Sequence, residues 1–402
     1  MKILMVNKFL YPRGGSESYM LYLGEYLKKL GHEVEYFGMY DEHNTVGNAA
    51  GLYTQNMDFH SKGLGRFLYP FKIIYSFEAK KKIMKVIDSF KPDIVHMNNI
   101  NFQLTPSIIY GIKKKGIPVV QTVHDYQMIC PNHLLYNFDK NIPCEKCTGG
   151  SHFNCIKNKC IHGSLLKSII GVIEAKFYNF LKTYKKVDLY VCPSNFLRDK
   201  LISSKDFYKD KTLTIHNFIN KEKFSGFDGG KDNYIVYVGR LSKEKGVEHI
   251  AQTAKLLPEY NFVVAGSGPD ADILKGIPNI KLAGFLTGDE LAELMGRAKV
   301  LLLPSVCYEN CPLSILEAHS MGVPVVTMNS GGMAELVRDG VTGSLVKEPT
   351  AEGIAIKLKE TLENEDYYNI LTENCRNEKD NILSVETYCE ILLKEYDKLV
   401  KR

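Results

Sequence analysis

Residues 304–322 read PSVCYENCPLSILEAHSMG; they follow the apolar run VLLL at 300–303 and lead into VPVV at 323–326. An apolar run, a proline turn, a helical stretch and a second apolar run make one strand–helix–strand unit of a parallel sheet. Pro312 stands at the first helical turn, where a missing N–H costs nothing. The peptide N–H groups of Leu313 and Ser314 then point out of the sheet, and a helix N-terminus at that edge is a ready phosphate site. Glu309 and Glu317 bracket the turn. If the positions between them were wholly helical, the two carboxylates would stand about 12 Å apart along the axis, of the order of the span from a hexose to a ribose across a diphosphate. As two isolated acids they would mean little; their place after a strand and a proline turn gives them weight.

The same alternation runs through the second half, with candidate strands at 234–239, 262–265, 280–283, 300–303 and 323–327. Thr287 with Glu290 predicts a capping box ahead of Leu291 and Leu294. An earlier, independent series has strands at 3–7, 34–38, 94–97, 119–124 and 189–193. Its first helix is expected over 17–30, with Tyr19, Leu23, Leu27 and Leu30 at helical spacing and Gly31 as the stop. Residues 221–232, with Gly226, Gly229 and Gly230, read as the linker. The expected architecture is α/β, two Rossmann-like doubly wound domains facing a central cleft: 1–218 and 219–384. A last helix in 385–402 is expected to pack back on the first domain. With 402 residues and 45% hydrophobic content, the chain can fill two cores.

Other candidate groups sit at strand ends. Arg240, just past the run 234–239, can fork onto phosphate oxygens, and Lys245 can add a point charge to the same diphosphate. An ordinary basic loop is the plain alternative. Gly14 and Gly15 lie where the first strand turns into the first helix, so a ligand can approach the backbone there. Their spacing is not that of a dinucleotide fingerprint. His124 closes the run 119–124, a position where a lone histidine is more often structural. Asp270 and Asp272 could suggest a metal-bound donor, but they follow Gly-Pro at a helix start, where acids favour the helix dipole.

Five of the ten cysteines fall in an insertion at 130–160. Cys144, Cys147, Cys155 and Cys160 offer four thiolates for a structural zinc; free thiols and an iron–sulfur cluster are the other readings. Residues 62–91 carry eight basic residues against Glu78 and Asp88, with Phe67, Tyr69, Phe71, Tyr75, Phe77 and Phe90 interleaved. Such a stretch can lie on an anionic membrane, or it can be a solvated helix whose apolar residues face the core. No nucleic-acid motif accompanies the lysines. No apolar run is long enough to span a bilayer, and MKILMVNKF reads as a first strand without signal-peptide features. A cytoplasmic protein, at the inner membrane face if the basic stretch binds lipid, is the expectation.

Taken together, Gly14-Gly15, His124, Arg240 with Lys245, the Glu309/Glu317 pair and the later GGMAE at 331–335 make the chain resemble glycosyltransferase family 4 over nearly its whole length. The resemblance implies the GT-B fold and transfer of a hexose from a nucleotide diphosphate sugar to an acceptor, with retention and no divalent ion; the basic aromatic stretch at 62–91 points to a saccharide or lipid-linked saccharide as that acceptor. It implies that Arg240 and Lys245 hold the diphosphate, Glu317 the ribose and Glu309 the hexose, that His124 contacts that hexose and that Gly15 lies near the phosphate. Asn310 and Cys311 stand where many members have glycine and an aromatic, which bears on the sugar more than on the reaction. A sugar-nucleotide epimerase of similar architecture, and a noncatalytic partner of a transferase complex, are the competing functions.

Overall fold

The computed structural model describes residues 1–56, 69–224, 227 and 229–401. Lys62, Arg66 and Phe67 of the basic stretch and Gly226 of the linker segment lie outside the described residues. The chain forms two compact units: Met1–Leu135, Cys144–His216 and Val385–Arg402 make the first, Tyr136–Pro143 and Asn217–Ser384 the second.

The first unit is built on β1 (Lys2–Val6), β2 (Glu33–Phe37), β3 (Ile94–Met97) and β4 (Val119–Thr122). A short antiparallel hairpin, β5 (Tyr136–Asn137) with β6 (Ile142–Pro143), follows, and it belongs to the second unit although it comes from inside the cysteine-rich insertion. Returning to the first unit, β7 (Leu189–Cys192) and β8 (Thr212–Thr214) complete a parallel sheet of order β2-β1-β3-β4-β7-β8. Strands β3 and β4 are buried at every position, as expected for a sheet covered on both faces. The order reverses between β1 and β3, whose register sets Ile3 beside Ile94 and Val6 beside Met97.

The second unit repeats the plan with β9 (Tyr234–Val238), β10 (Asn261–Ala265), β11 (Ile280–Gly284), β12 (Val300–Leu303), β13 (Val325–Met328) and β14 (Gly343–Val346). Its order, β11-β10-β9-β12-β13-β14, reverses between β9 and β12. Ligands of such sheets bind beyond the carboxyl ends of the strands at the reversal, so each unit has one predicted ligand edge.

Several local expectations need correction. β8 and β14 were not anticipated: TLT and GSLV are short and carry no apolar run that stands out. β4 ends at Thr122, so His124 lies two residues past the strand. Thr287 is the N-cap of helix Gly288–Arg297, but its side chain makes no capping hydrogen bond, so no capping box forms. The segment 221–232 is not wholly linker, since Lys221–Phe224 is a helical turn.

The helix Val385–Val400 completes the first unit through a buried polar network. The Tyr388 hydroxyl is hydrogen-bonded to that of Tyr19 at 2.6 Å, and the Tyr19 hydroxyl also meets Thr122 Oγ1 at 3.1 Å. His96 on β3 joins Tyr396 through Nδ1 and Thr122 through Nε2. Burial pushes the His96 imidazole down to about 3, so it sits in the core uncharged.

Helix Phe77–Phe90 turns Ala79, Ile83, Val86, Ile87 and Phe90 into the core. Lys82 pairs with Glu78, and Lys115 with Asp88. Phe77, at the start of this helix, is left 77% exposed. Among the described residues no helix is long and apolar enough to cross a membrane.

Candidate functional site

In the second unit the loops after β9 and β12 leave from the reversal and are fastened to each other. Val306 and Cys307 donate their peptide N–H groups to the Glu244 carbonyl at 3.0 and 3.2 Å, and Ser242 Oγ donates to Glu244 Oε1 at 2.6 Å. The first loop closes at Gly246, with φ +80°, and a Cβ there would lie 2.1 Å from the Pro304 carbonyl oxygen. Glycine is required on both counts, conformation and space.

This fastening brings Lys245 onto Glu309: Nζ donates to Oε1, and Ser305 Oγ donates to the same oxygen at 2.8 Å. The Glu309 carbonyl accepts from Gly332 N at 2.7 Å, which ties in the turn at Gly331, itself at φ +60°. Burial alone would lower the Lys245 ammonium, but the carboxylate of Glu309 outweighs it and the proton is held more tightly than usual. Arg240 is exposed and has no ion pair among the described residues. The site thus holds one fixed cation, one fixed carboxylate and one cation turned to solvent.

Helix Leu313–Ser320 starts beside them. Pro312 is its N-cap, one position earlier than expected, so Leu313 and Ser314 occupy the first two helical positions. Their N–H groups have no intrahelical acceptor. Residues 309–312 are not helical, so the spacing inferred from helical rise does not apply to Glu309 and Glu317. Glu317 lies in the helix interior, and desolvation pushes its carboxyl up to about 7. Cys311 is buried, and Asn217 holds it through Nδ2 to the Cys311 carbonyl at 2.8 Å. Asn310 precedes it, half-buried. Ser305 and Glu244 were given no role from sequence, because one acts through a side-chain bond to Glu309 and the other through its backbone carbonyl, which no spacing announces.

In the first unit His124 Nε2 donates to Asn98 Oδ1 at 3.0 Å, and the edge of the Tyr19 ring packs on it at 5.2 Å. Burial lowers His124 to about 4, so it is neutral at pH 7. Gly14 is the N-cap of helix Gly15–Lys29 at φ −166°, extended backbone that any residue adopts, so conformation does not require glycine there. Asp270 precedes the helical turn Ala271–Leu274, and Asp272 is ion-paired with Lys275.

The residues 13–223 match the model described as Glycosyltransferase Family 4, and 218–378 that described as Glycosyl transferases group 1. The chain belongs to glycosyltransferase family 4. A 42.6 kDa protein of the cps region of Klebsiella pneumoniae is 28% identical over 355 residues, covering 84% of this chain and 88% of its own. The Escherichia coli UDP-Gal:alpha-D-GlcNAc-diphosphoundecaprenol alpha-1,3-galactosyltransferase is 29% identical over 245 residues, 54% of this chain and 62% of its own. Among solved structures, Anabaena Alr3699/HepE in complex with UDP and glucose superposes with a TM-score of 0.70 at 16% identity, covering 99% of this chain and 100% of that one. The two Rossmann-like units are therefore those of the GT-B fold, and the protein is a glycosyltransferase that uses a nucleotide sugar.

In this glycosyltransferase the cysteine insertion is a small apolar body. Cys147, Cys155, Cys160 and Val172 pack together with Ile156 and Ile161 against them. Cys155 is hydrogen-bonded to Cys160, and Cys130 Sγ donates to Asn132 Oδ1 at 2.9 Å. Burial pushes the thiols of Cys130 and Cys147 up to about 12 and about 11. Cys144 is less buried. Among the described residues no group of three or more His, Cys, Asp or Glu is placed to hold a metal ion.

The Gly246 geometry makes a local prediction. Gly246→Ala must displace the Pro304 carbonyl or twist the 3-10 turn before it, and either moves Lys245 off Glu309. The expected outcome is a loss of about 1 kcal/mol or more in stability together with weakened nucleoside diphosphate binding, read by thermal shift with and without UDP. Unchanged binding would mean that the two loops are not rigidly coupled.

Proposed function

We propose that this enzyme is a retaining hexosyltransferase that needs no divalent ion, takes its sugar from a UDP-hexose, and passes it to a saccharide or lipid-linked saccharide at an anionic membrane surface. The second unit is assigned to the donor and the first to the acceptor. One observation carries the reading: at the reversal of the second sheet, Lys245 is fixed on Glu309 beside a helix N-terminus, with Arg240 exposed and in no ion pair among the described residues.

Those groups fit a nucleotide diphosphate sugar. Arg240 forks onto the diphosphate, the remaining donors of Lys245 and the N–H groups of Leu313 and Ser314 add to it, and no cation is then needed to neutralise it. Glu309 accepts from the hexose hydroxyls, Glu317 from the ribose hydroxyls, and neutral His124 serves the transferred hexose. The residues 310–312, Asn310, Cys311 and Pro312, set the wall next to the sugar, and Gly14 and Gly15 leave the backbone accessible. UDP is favoured because the E. coli relative is a UDP-Gal enzyme and the Anabaena structure holds UDP.

The reaction follows from the charges. The bond from the anomeric carbon to the β-phosphate oxygen breaks, and the acceptor hydroxyl bonds to that carbon from the same face. Its proton passes to the departing phosphate oxygen, so no protein base is required. Negative charge grows on the diphosphate, and preorganised donors lower the barrier where it grows.

The membrane part rests on helix Leu165–Phe180, which exposes Leu165, Leu166, Ile173 and Phe180, the last at 85%. Lys167 and Lys176 lie along the same helix, and each basic residue near anionic headgroups adds about 1 kcal/mol. The lipid-diphosphate acceptor named for the E. coli relative points the same way.

Three measurements test the proposal. In a thermal-shift panel of UDP, GDP, ADP and dTDP, UDP is expected to raise the melting point equally with and without EDTA; at a hundred times its dissociation constant it adds about 2.7 kcal/mol. A shift abolished by EDTA would overturn the metal-free mechanism. Arg240→Ala is expected to lower turnover at least about a hundredfold with the fold intact; near wild-type turnover would remove Arg240 from the chemistry. Glu317 sets a pH dependence. Its raised pKa means the folded protein holds this proton more tightly than the unfolded chain, so stability falls as pH rises from about 4.5 to about 7. Ribose hydroxyls need the carboxylate, so donor affinity should rise as pH climbs from 6 to 8, by about tenfold. Glu317→Gln should flatten that profile, and a profile unchanged in the variant would assign the titration elsewhere.

A further inference from the structure

We propose that Lys8, Asn101 and Asp125 form a saccharide-binding subsite on the first unit that grips a vicinal diol of the acceptor. The class of ligand rests on the glycosyltransferase reading above; the site itself rests on geometry within the first unit.

Lys8 lies in the loop after β1 and Asn101 in the loop after β3, the two strands between which the first sheet reverses its order. Ligands of doubly wound sheets bind at that point, and the second unit has Lys245 and Glu309 at the equivalent place. In the first unit Lys8 Nζ donates to Asn101 Oδ1 at 2.9 Å, and Asn101 Nδ2 donates to Asp125 Oδ2 at 2.8 Å. Because an ammonium can only donate, the amide orientation of Asn101 is fixed. Gln127 N donates to Asp125 Oδ1 at 2.9 Å, which pins the other carboxylate oxygen.

The arrangement is locked at its joint and open at its ends. Asn101 is buried, whereas the Asp125 side chain is 24% exposed and Lys8 is half-buried. Each Asp125 oxygen retains a second lone pair, and Lys8 retains donors beyond the one on Asn101. A carboxylate that accepts next to an ammonium that donates matches a diol, whose hydroxyls do both.

The loops around it are held in costly conformations. Phe102 and Thr105 have φ of 63° and 61°, and His133 and Leu135 have 65° and 49°, all non-glycine residues in the left-handed region. Phe102 stacks on His133 at 4.9 Å, and His133 Nδ1 meets Asn101 Nδ2 at 3.1 Å. Strain of this kind gathers at binding and catalytic sites, where surrounding contacts over-determine it. His124, the neighbour of Asp125 in sequence, is bonded to Asn98 in the same β3 loop.

The test uses the full-length enzyme. UDP release from UDP-glucose and UDP-galactose is followed with and without the octyl glycosides of glucose, galactose, mannose and N-acetylglucosamine, beside the UDP-induced thermal shift. In the wild type at least one glycoside should accelerate UDP release. Asp125→Asn should lower kcat/KM for that glycoside about thirtyfold, chiefly through KM, and leave the UDP shift unchanged. Should Asp125→Asn lose its cooperative melt, Lys8→Met, which leaves the Asn101–Asp125 bond in place, decides on the same two readouts with an expected loss of about tenfold. Wild-type acceptor kinetics in the folded variant, or no glycoside accelerating the wild type, overturns the subsite. A wild type with no UDP shift instead overturns the donor reading.

Discussion

A parallel sheet whose strand order reverses sends the loops on either side of the reversal to opposite faces, and the gap between them is the one place where the sheet's edge is left uncovered. Both units of this protein obey that constraint, and both fill the gap with polar side chains tied to one another. In the second unit the tie is the carbonyl of Glu244 with its two peptide donors, which holds Lys245 against Glu309. Without it the ammonium and carboxylate would be two long side chains on separate loops, and the entropy of bringing them together would fall on the ligand. The pair is preorganised by backbone.

Desolvation then sets the charge state of each group. Glu317 and His124 are both shifted toward neutrality by burial, whereas Lys245 keeps its charge because Glu309 sits against it. A neutral imidazole still makes a hydrogen bond, as His124 does to Asn98, without adding a buried charge. The pairing of Lys245 with Glu309 also explains how two opposite charges are tolerated with little solvent around them: each supplies the other's counter-charge, and Ser305 satisfies a further lone pair of the carboxylate.

Much of this was legible in the sequence. The strands β9 and β12, and β1 from Ile3 on, are continuous apolar runs that cannot be surface loops, and the βαβ alternation fixes a doubly wound fold. Arg240, Lys245, Glu309 and Glu317 stood out because they follow such runs. The edge strands β8 and β14 escaped because an edge needs no apolar run, and TLT at 212–214 is three residues with a single apolar side chain. The capping box at Thr287 failed since the residue pattern permits that bond without compelling it. What the sequence could not express was contact between distant residues. Nothing in the string relates Lys8 to Asn101, Gly246 to the Pro304 carbonyl, or the hairpin at 136–143 to the unit that follows it.

The tyrosines at the end of the chain set an order of events during synthesis. Tyr388 and Tyr396 hydrogen-bond to Tyr19 and His96, in the first helix and the third strand of the first unit. Until they arrive, Tyr19, His96 and Thr122 have no partner from the last helix, and the apolar seam beneath that helix is open to water. The ribosome must make all of the second unit before it reaches residue 388, so the first unit, although first to emerge, is the last to be finished. At roughly 5–20 residues per second, the interval between residues 216 and 385 lasts on the order of ten to thirty seconds. Throughout it the first unit waits without its last helix, a natural window for chaperones to hold that seam.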